Sequence, residues 1–298
     1  MSQTILVGVD ERDAARDAVA LGATLAGALG AELAIVHVYP FDPLADSIAL
    51  GGPPVAPLEQ ESQDIVDRAG EGCPLPYRRI VDSHRSTVGG LHDAAVRTQA
   101  EILVVGSSHR GSVGRIALGS HTERVLHGAP CAVAVAPRGL AAAAWRPARI
   151  AAGYDGSPDA AHAVETARRI AAATGGTLYL MTALDSAPAG WERYNDRPDR
   201  RADQERMRER AEHALGEVAG EGEETDVRVG DAVEQLLMLS HRTDLLVLGS
   251  RGYGPVRRVL AGATAHRVVR EAACPVIVVP RSAHEREAAP EAVAETSV

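Results

Sequence analysis

The sequence predicts an α/β protein made of two tandem doubly wound domains, each with a mainly parallel five-stranded sheet flanked by helices. Short apolar segments alternate with helical segments along the chain, which is the pattern of strands in a parallel sheet covered by helices. The motifs of the first half recur in the same order in the second. The length of 298 residues suits about two ordinary domains.

The internal repeat is visible as matching strings at a nearly constant offset. Ile5-Leu-Val-Gly-Val-Asp10 corresponds to Ile150-Ala-Ala-Gly-Tyr-Asp155, and Leu103-Val-Val-Gly-Ser107 corresponds to Leu246-Val-Leu-Gly-Ser250. Further along, Gly119, Cys131 and Pro137 correspond to Gly262, Cys274 and Pro280. The recurrence predicts a first domain at 1–138, a linker at 139–148, a second domain at 149–281 and a disordered acidic tail at 282–298.

The first domain is predicted to contain five strands and four helices. The strands are Thr4–Val9, Glu32–Tyr39, Tyr77–Val81, Glu101–Ser107 and Cys131–Ala136. The helices are Arg12–Leu29, which Gly30 should terminate, then Leu58–Ala69, Gly89–Gln99 and Ser120–His127. The Pro- and Gly-rich stretch Pro40–Pro57 is predicted to be a loop.

The second domain repeats this order. Its strands are predicted near Arg149–Tyr154, Thr177–Ala183, Asp226–Val229, Leu245–Ser250 and Val276–Val279, and Arg200–Val218 is predicted to be a solvated, salt-bridged helix. Right-handed crossovers between such units give a doubly wound, Rossmann-like sheet.

Composition and charge exclude several classes of protein. The net charge of −9 argues against nucleic-acid binding, and no apolar run is long enough to cross a membrane. All 31 basic residues are arginine, so a P-loop or Schiff-base lysine is absent. Three cysteines without a C-x-x-C pair, and an N-terminus without a signal-peptide pattern, favour a cytoplasmic protein.

The candidate site lies beyond the carboxyl ends of the strands, where parallel sheets bind ligands. Asp10 and Asp155 follow the first strand of each copy, and a glycine-rich loop follows the fourth, over 106–120 and 249–263. Glycines let backbone N–H groups approach a phosphate closely, and the start of the next helix adds free donors. Five arginines in or beside the loops can offset phosphate charge: Arg110, Arg115, Arg251, Arg257 and Arg258.

These loops resemble the universal stress protein family, which carries Gly, two residues, Gly, nine residues, Gly, then Ser or Thr. The second copy has Gly249, Gly252 and Gly262, but Ala263 replaces the hydroxyl residue. The first has Gly106, Gly119 and Ser120, but His109 replaces the second glycine. The strings around Cys131 and Cys274 approximate the family's last strand, so the resemblance covers both halves.

The resemblance implies binding of ATP, accompanied by Mg²⁺ where several phosphates are bound. It places the aspartate near adenine and ribose, the end of strand two against adenine, and the loop against ribose and phosphates. The implied nucleotide-binding residues are Asp10, Val38, Val105, Gly106, Ser108, His109, Gly119 and Ser120 in the first copy. In the second they are Asp155, Ala183, Leu248, Gly249, Arg251, Gly252, Gly262, Ala263 and Thr264. The second copy is expected to be the better site, because it retains the loop glycine.

The same residues allow other interpretations. The loops can be tight turns, Asp10 and Asp155 can be helix caps, and degenerate loops can leave a nucleotide-free scaffold. No catalytic serine, metal cluster or Walker lysine is found, so a binding protein in the stress response is expected rather than an enzyme, with slow ATP hydrolysis left open. The family's dimer pairing of strand five can form within a tandem chain, between Ala132–Ala136 and Val276–Val279, and two chains can still form a homodimer.

Overall fold

The fold was analysed in a computed structural model of the chain. The structure describes residues 3–41, 55–107, 116, 119–143, 145–184, 198–250 and 262–280. Within these residues, no helix combines the length and the apolar character that a membrane crossing requires. Of the predicted loop Pro40–Pro57, residues 42–54 lie outside the described residues, as does the predicted tail. The two ends of that prediction are wrong, because Pro40 ends a strand and residues 55–57 begin a helix.

Ten strands and eight α-helices make up the described part of the chain. The strands are β1 (Thr4–Gly8), β2 (Glu32–Pro40), β3 (Tyr77–His84), β4 (Ala100–Gly106), β5 (Ala132–Ala136), β6 (Arg149–Gly153), β7 (Thr177–Leu184), β8 (Glu224–Val229), β9 (Leu245–Gly249) and β10 (Val276–Val279). The helices are α1 (Ala14–Leu29), α2 (Val55–Gly70), α3 (Thr87–Arg97), α4 (Ser120–Leu126), α5 (Pro158–Thr174), α6 (Pro198–Val218), α7 (Ala232–Ser240) and α8 (Ala263–Glu271).

The strands form one continuous sheet in the order β3-β2-β1-β4-β5-β10-β9-β6-β7-β8. Each half contributes five strands in the doubly wound order, and neighbouring strands within a half are parallel. Strands β5 and β10 join the halves as an antiparallel pair, with Val133 opposite Val278 and Val135 opposite Val276. The predicted α/β class and the predicted internal pairing of the fifth strands are both confirmed. The two five-stranded sheets are therefore one ten-stranded sheet.

The sheet is apolar on both faces because helices cover both of them. One core cluster packs β1 and β6 against α1, α2 and α5, and the other packs the opposite face against α3, α4, α7 and α8. Cys131 and Cys274 are buried within the second cluster, and burial raises the pKa of each thiol to about 12. Aliphatic residues make up most of both clusters, which agrees with the 3% aromatic content.

Helix ends follow the predicted chemistry. Gly30 and Gly175 end α1 and α5 in the left-handed conformation, with φ of 63° and 68°. Helix α6 carries surface ion pairs at helical spacing, among them Arg208 with Glu212 at 2.8 Å. Only the face of α6 that includes Leu215 is buried, so the predicted solvated helix is confirmed.

The linker between the halves is fixed at both ends by carboxylates. Asp17 in α1 accepts hydrogen bonds from the backbone N–H groups of Gly139 and Ala141. Asp244 accepts from the N–H groups of Ala148 and Arg149, at 3.0 and 2.7 Å. Each end of the linker is therefore attached to the body of one half.

Candidate functional site

A cavity of about 750 Å³ opens at the carboxyl edge of the first half. The ends of β1, β2 and β4 form its floor, and the starts of α1 and α4 form one side. Helices α2 and α3 form the remaining walls. Five predicted ligand residues line it together: Asp10, Val38, Val105, Gly106 and Gly119. The volume is within the range of pockets that bind small organic ligands.

The aspartates after β1 and β6 order the turn that precedes the next helix. Asp10 Oδ1 accepts a hydrogen bond from the N–H of Arg12, and Asp155 Oδ1 accepts one from the N–H of Ser157, both at 3.0 Å. Neither aspartate is an N-cap, because α1 is preceded by Asp13 and α5 by Ser157. The capping alternative is therefore wrong for both residues. Helix α1 also begins two residues later than predicted, since Arg12 belongs to this turn.

The first glycine of each loop is required by helix packing. A Cβ on Gly106 would lie 2.5 Å from the carbonyl oxygen of Ala14, and one on Gly249 would lie 2.7 Å from that of Asp159. Real Cβ atoms do not approach backbone this closely. These two glycines thus let the first turn of α1 or α5 approach the end of β4 or β9. The sequence analysis attributed them to phosphate approach alone.

Two residues that line the cavity carry a buried polar atom without a hydrogen-bond partner among the described residues. Ser107 is 5% exposed, and the atoms concerned are its Oγ and Nδ1 of His37. A buried polar atom without a partner costs about 1–3 kcal/mol, so these two atoms make this wall a candidate for ligand binding. Burial lowers the pKa of His37 and outweighs the carboxylates of Asp10, Glu11 and Glu61, which raise it. The ring is therefore neutral near pH 7.

Helix α4 is held against the end of β4 by a side chain. Thr122 Oγ1 donates to the carbonyl of Gly106 at 3.1 Å, and the N–H of Glu123 donates to the carbonyl of Gly119. Gly119 has extended backbone, with φ −85° and ψ 160°, and provides no side-chain cap. Gly262 precedes α8 in the same way, with φ −59° and ψ 161°. Backbone donors at the start of each helix are thus not capped by the preceding residue.

The carboxylates of the described lining are Asp10, Glu11 and Glu61, and Arg12 pairs with Asp10 at 3.3 Å. Asp10 and Glu11 lie between β1 and α1, whereas Glu61 lies on α2. A ligand bound here therefore meets hydrogen-bond acceptors from two sides of the cavity.

Some of the remaining predicted residues lie in the described part of the chain, and others do not. Ser108, His109, Arg251 and Gly252 lie outside the described residues. Ser120 begins α4, and Ala263 and Thr264 begin α8. Ala183 and Leu248 lie near the carboxyl ends of β7 and β9. Asp155, Gly249 and Gly262 lie at the same edge of the sheet, as their counterparts do in the first half.

Sequence reasoning missed His37 and Ser107 as site residues. Ser107 had a signal, because it follows the repeated glycine and its counterpart Ser250 is also buried, at 1% exposure. His37 lies inside β2, and it also lines the cavity. Among the described residues, no three His, Cys, Asp or Glu side chains are placed to hold a metal ion.

The doubly wound topology, duplicated about an antiparallel β5–β10 seam and carrying a cavity at its carboxyl edge, defines a tandem doubly wound α/β protein. The model of the universal stress protein family matches residues 1–137 and 148–280. The chain therefore belongs to the universal stress protein family, in a two-domain form.

Individual relatives agree with this membership. A universal stress protein of Mycolicibacterium smegmatis is 29% identical over 292 residues, covering 92% of this chain and 96% of its own length. One from Mycobacterium bovis is 27% identical and covers 74% of this chain and 77% of its own. The crystal structure of one from Archaeoglobus fulgidus superposes with a TM-score of 0.62 at 20% identity, covering 95% of this chain and all of that one. This structural likeness supports the fold.

Proposed function

We propose that this protein binds an adenine nucleotide at the carboxyl edge of its sheet and acts as a ligand-responsive binding module of the stress response, without catalytic turnover. The observation that carries the proposal is the cavity containing the buried, unpartnered Ser107 Oγ. A polar ligand supplies the missing partner. Membership of the universal stress protein family supports the stress-response role.

The cavity residues fit the parts of a nucleotide. The exposed carboxylate of Asp10 accepts hydrogen bonds from ribose hydroxyls, and the carboxyl end of β2 near Val38 lies against the base. The phosphates then extend toward Gly119 at the start of α4. A reversed orientation would bring them to α2, where the carboxylate of Glu61 opposes them. Mg²⁺ accompanies the phosphates in solution and lowers their charge.

The second half presents the same framework with a different loop. Asp155, Gly249 and Gly262 repeat the geometry of their counterparts, and Gly252 is retained in the sequence. Thr264 can supply the hydroxyl that Ala263 lacks. The proposal therefore keeps the second half as the tighter site and the first half as a second, weaker one.

Matched substitutions at the two extended glycines distinguish the sites. Gly119→Asp places a carboxylate where phosphates are expected, whereas Gly119→Asn has nearly the same shape without the charge. Both residues are good N-caps, so both variants should fold. Gly262→Asp and Gly262→Asn repeat the pair in the second half. The measurement is calorimetric titration of ATP with Mg²⁺ into the full-length protein and the four variants.

The expected result is loss of the tighter site in Gly262→Asp and of the weaker site in Gly119→Asp, with both asparagine variants close to the parent. Equal loss from Asp and Asn would show that the effect is steric and not due to phosphate charge. Absence of binding in the parent protein, with no nucleotide released on denaturation, would overturn the proposal in favour of a nucleotide-free scaffold. Phosphate release under the same conditions tests for slow hydrolysis.

A further inference from the structure

The seam between the halves has a local two-fold axis that passes between Ala134 and Ile277. These residues occupy the same position of the repeat, 143 residues apart, and they face each other directly in the β5–β10 pair. Val133 faces Val278, and Val135 faces Val276. In the repeat, Val133 corresponds to Val276 and Val135 to Val278, so the two contacts are equivalent. Each half thus presents the same strand to the other, as in a symmetric dimer.

The pair on the axis differs in size. Ala134 and Ile277 are both fully buried, on the sheet face covered by α1 and α5. Two first halves pairing in this register would place alanine against alanine and leave a void. Two second halves would place isoleucine against isoleucine in space built for one large side chain. Both voids and overpacking destabilise a core, so the axis is complementary only between unlike halves.

The opposite face of the sheet carries a second complementary pair on the same axis. Glu123 in α4 and His266 in α8 are also counterparts 143 residues apart, and Nε2 of His266 lies 2.7 Å from Oε1 of Glu123. The ring of His127 lies 5.9 Å from that of His266. Pairing of two first halves would bring two carboxylates together, and pairing of two second halves would bring two imidazoles together. Two carboxylates offer only acceptors to each other, whereas unlike halves place the carboxylate of Glu123 opposite an imidazole that can donate.

A third contact across the seam occurs on one side only. Arg169 in α5 donates to Oε1 of Glu101 at 2.5 Å and to the side-chain oxygen of Gln3 at 3.0 Å. The counterpart of Arg169 in the first half is Thr24, which carries no charge. Oε2 of Glu101 is already buried and unpartnered. In a pair of first halves this carboxylate would lose its guanidinium, which is costly for a partly buried charge.

We propose that the seam is a heterotypic recognition surface: the first half is built to bind the second half of its own chain and to reject a copy of itself. Size complementarity at Ala134 and Ile277 and hydrogen-bond complementarity at Glu123 and His266 act on opposite faces of the same strand pair. The two halves are therefore a matched pair and not interchangeable copies. This specificity is independent of whether either half binds a nucleotide.

The first test is a double-mutant cycle in the full-length protein. Ala134→Ile and Ile277→Ala each destroy the size match, and the combined exchange restores it with the halves reversed. Each single variant should lower the urea midpoint, and the double variant should regain most of the loss, with a coupling of about fivefold or more in the unfolding equilibrium constant. Glu123→His and His266→Glu form the corresponding hydrogen-bond cycle. Additive losses in both cycles would overturn the proposal.

A control exchange separates seam complementarity from general core effects. Val7 and Ala152 are buried counterparts on β1 and β6, which are separated by four strands in the sheet. Val7→Ala combined with Ala152→Val also exchanges a larger and a smaller buried side chain, but these two residues do not contact each other across the seam. Its effects should add, because distant sites are independent. Coupling equal to that of the seam pair would also count against the proposal.

Partner choice is tested on full-length protein folded first and then cut at a protease site introduced between Ala143 and Trp145. Two cut preparations, one with a mass tag on the first half, are mixed and followed by native mass spectrometry. The expected species are unlike pairs only, including pairs that combine halves from the two preparations. Like pairs in the proportions of random pairing would overturn the proposal. If the halves do not exchange, the double-mutant cycles decide it.

Discussion

Asp17 and Gly139 are 122 positions apart, yet the carboxylate of Asp17 accepts the backbone N–H of Gly139 at 2.8 Å and, through its other oxygen, that of Ala141 at 2.9 Å. The carboxylate is 6% exposed. It therefore acts as a double acceptor that fixes the start of the linker on α1. The position of the second half relative to the first depends on this contact and on Asp244 at the other end of the linker.

Replacement of Asp17 by asparagine should destabilise the protein. Asparagine offers one acceptor oxygen, and its NH₂ group would face a backbone N–H, so a buried donor is left unpaired. The expected loss is about 1–3 kcal/mol of unfolding free energy, measured by urea denaturation. Asp13→Asn is the matched control, since Asp13 is exposed and makes no side-chain cap. Equal stability of the two variants would show that Asp17 does not hold the linker.

Alanine at Gly106 should destabilise the protein because the new Cβ would meet the Ala14 carbonyl at 2.5 Å. A loss of about 1–3 kcal/mol is expected from this overpacking, and Gly249→Ala should behave alike. The control is Gly216→Ala in α6, where a Cβ would meet nothing within 4 Å. That variant should gain up to about 1 kcal/mol through helix propensity. Thermal or urea unfolding measures both, and effects of the same sign would contradict the packing role.

Thiol reactivity should separate Cys73 from the other two cysteines. Burial raises the pKa of Cys131 and Cys274 to about 12, whereas Cys73 is partly exposed. Only the thiolate reacts, so iodoacetamide at about pH 8 should modify one thiol per native chain and all three after unfolding. Mass spectrometry counts the adducts, and Cys73→Ser should remove the native one. Rapid native labelling of Cys131 or Cys274 would contradict the burial.

Glu223 should contribute stability that is lost in acid. Its carboxylate makes two hydrogen bonds to Arg168, at 2.5 and 2.9 Å, and this partner lowers the pKa of Glu223, against the opposing effect of burial. Because the folded pKa lies below the unfolded one, the stabilisation is present above the ordinary glutamate pKa of about 4.3 and disappears as the pH falls through the folded value.

Glu223→Gln tests this pH dependence. The variant should be about 1–2 kcal/mol less stable than the parent at pH 7, and the difference should shrink toward zero as the pH falls below about 4. Denaturation at several pH values gives the comparison. Asp203→Asn is the control, because its pair with Arg206 is on the surface and should contribute under about 1 kcal/mol. A difference that is constant with pH would exclude the charge as its cause.

Ser107→Ala should weaken ligand binding without weakening the fold. The hydroxyl has no hydrogen-bond partner within the described part of the chain, so its removal should leave the unfolding free energy unchanged or slightly higher. Loss of a hydrogen bond to the ligand should lower affinity about fivefold, near 1 kcal/mol, in a calorimetric titration. Destabilisation of the free protein by that amount would mean that Ser107 serves the fold and not the ligand.

The sequence by itself determined the repeated elements and the edge of the sheet that carries the site. Alternation of apolar strands with helical segments depends on local periodicity, and Gly30 ends its helix because glycine alone adopts φ of 63° without strain. The position of Asp10 after a strand followed from chain order. These properties depend on residues close together in the chain, so a linear pattern records them.

Tertiary structure alone decided the properties that depend on distant residues. Gly106 is required because α1 approaches β4, and the hydroxyl of Ser107 finds no hydrogen-bond partner among the described residues. The register that places Ala134 opposite Ile277 fixes the seam, and no local pattern encodes which of two matching strands lies opposite the other. Each of these relationships is a distance between segments that only the packed fold brings together, and packing is sensitive to single side chains.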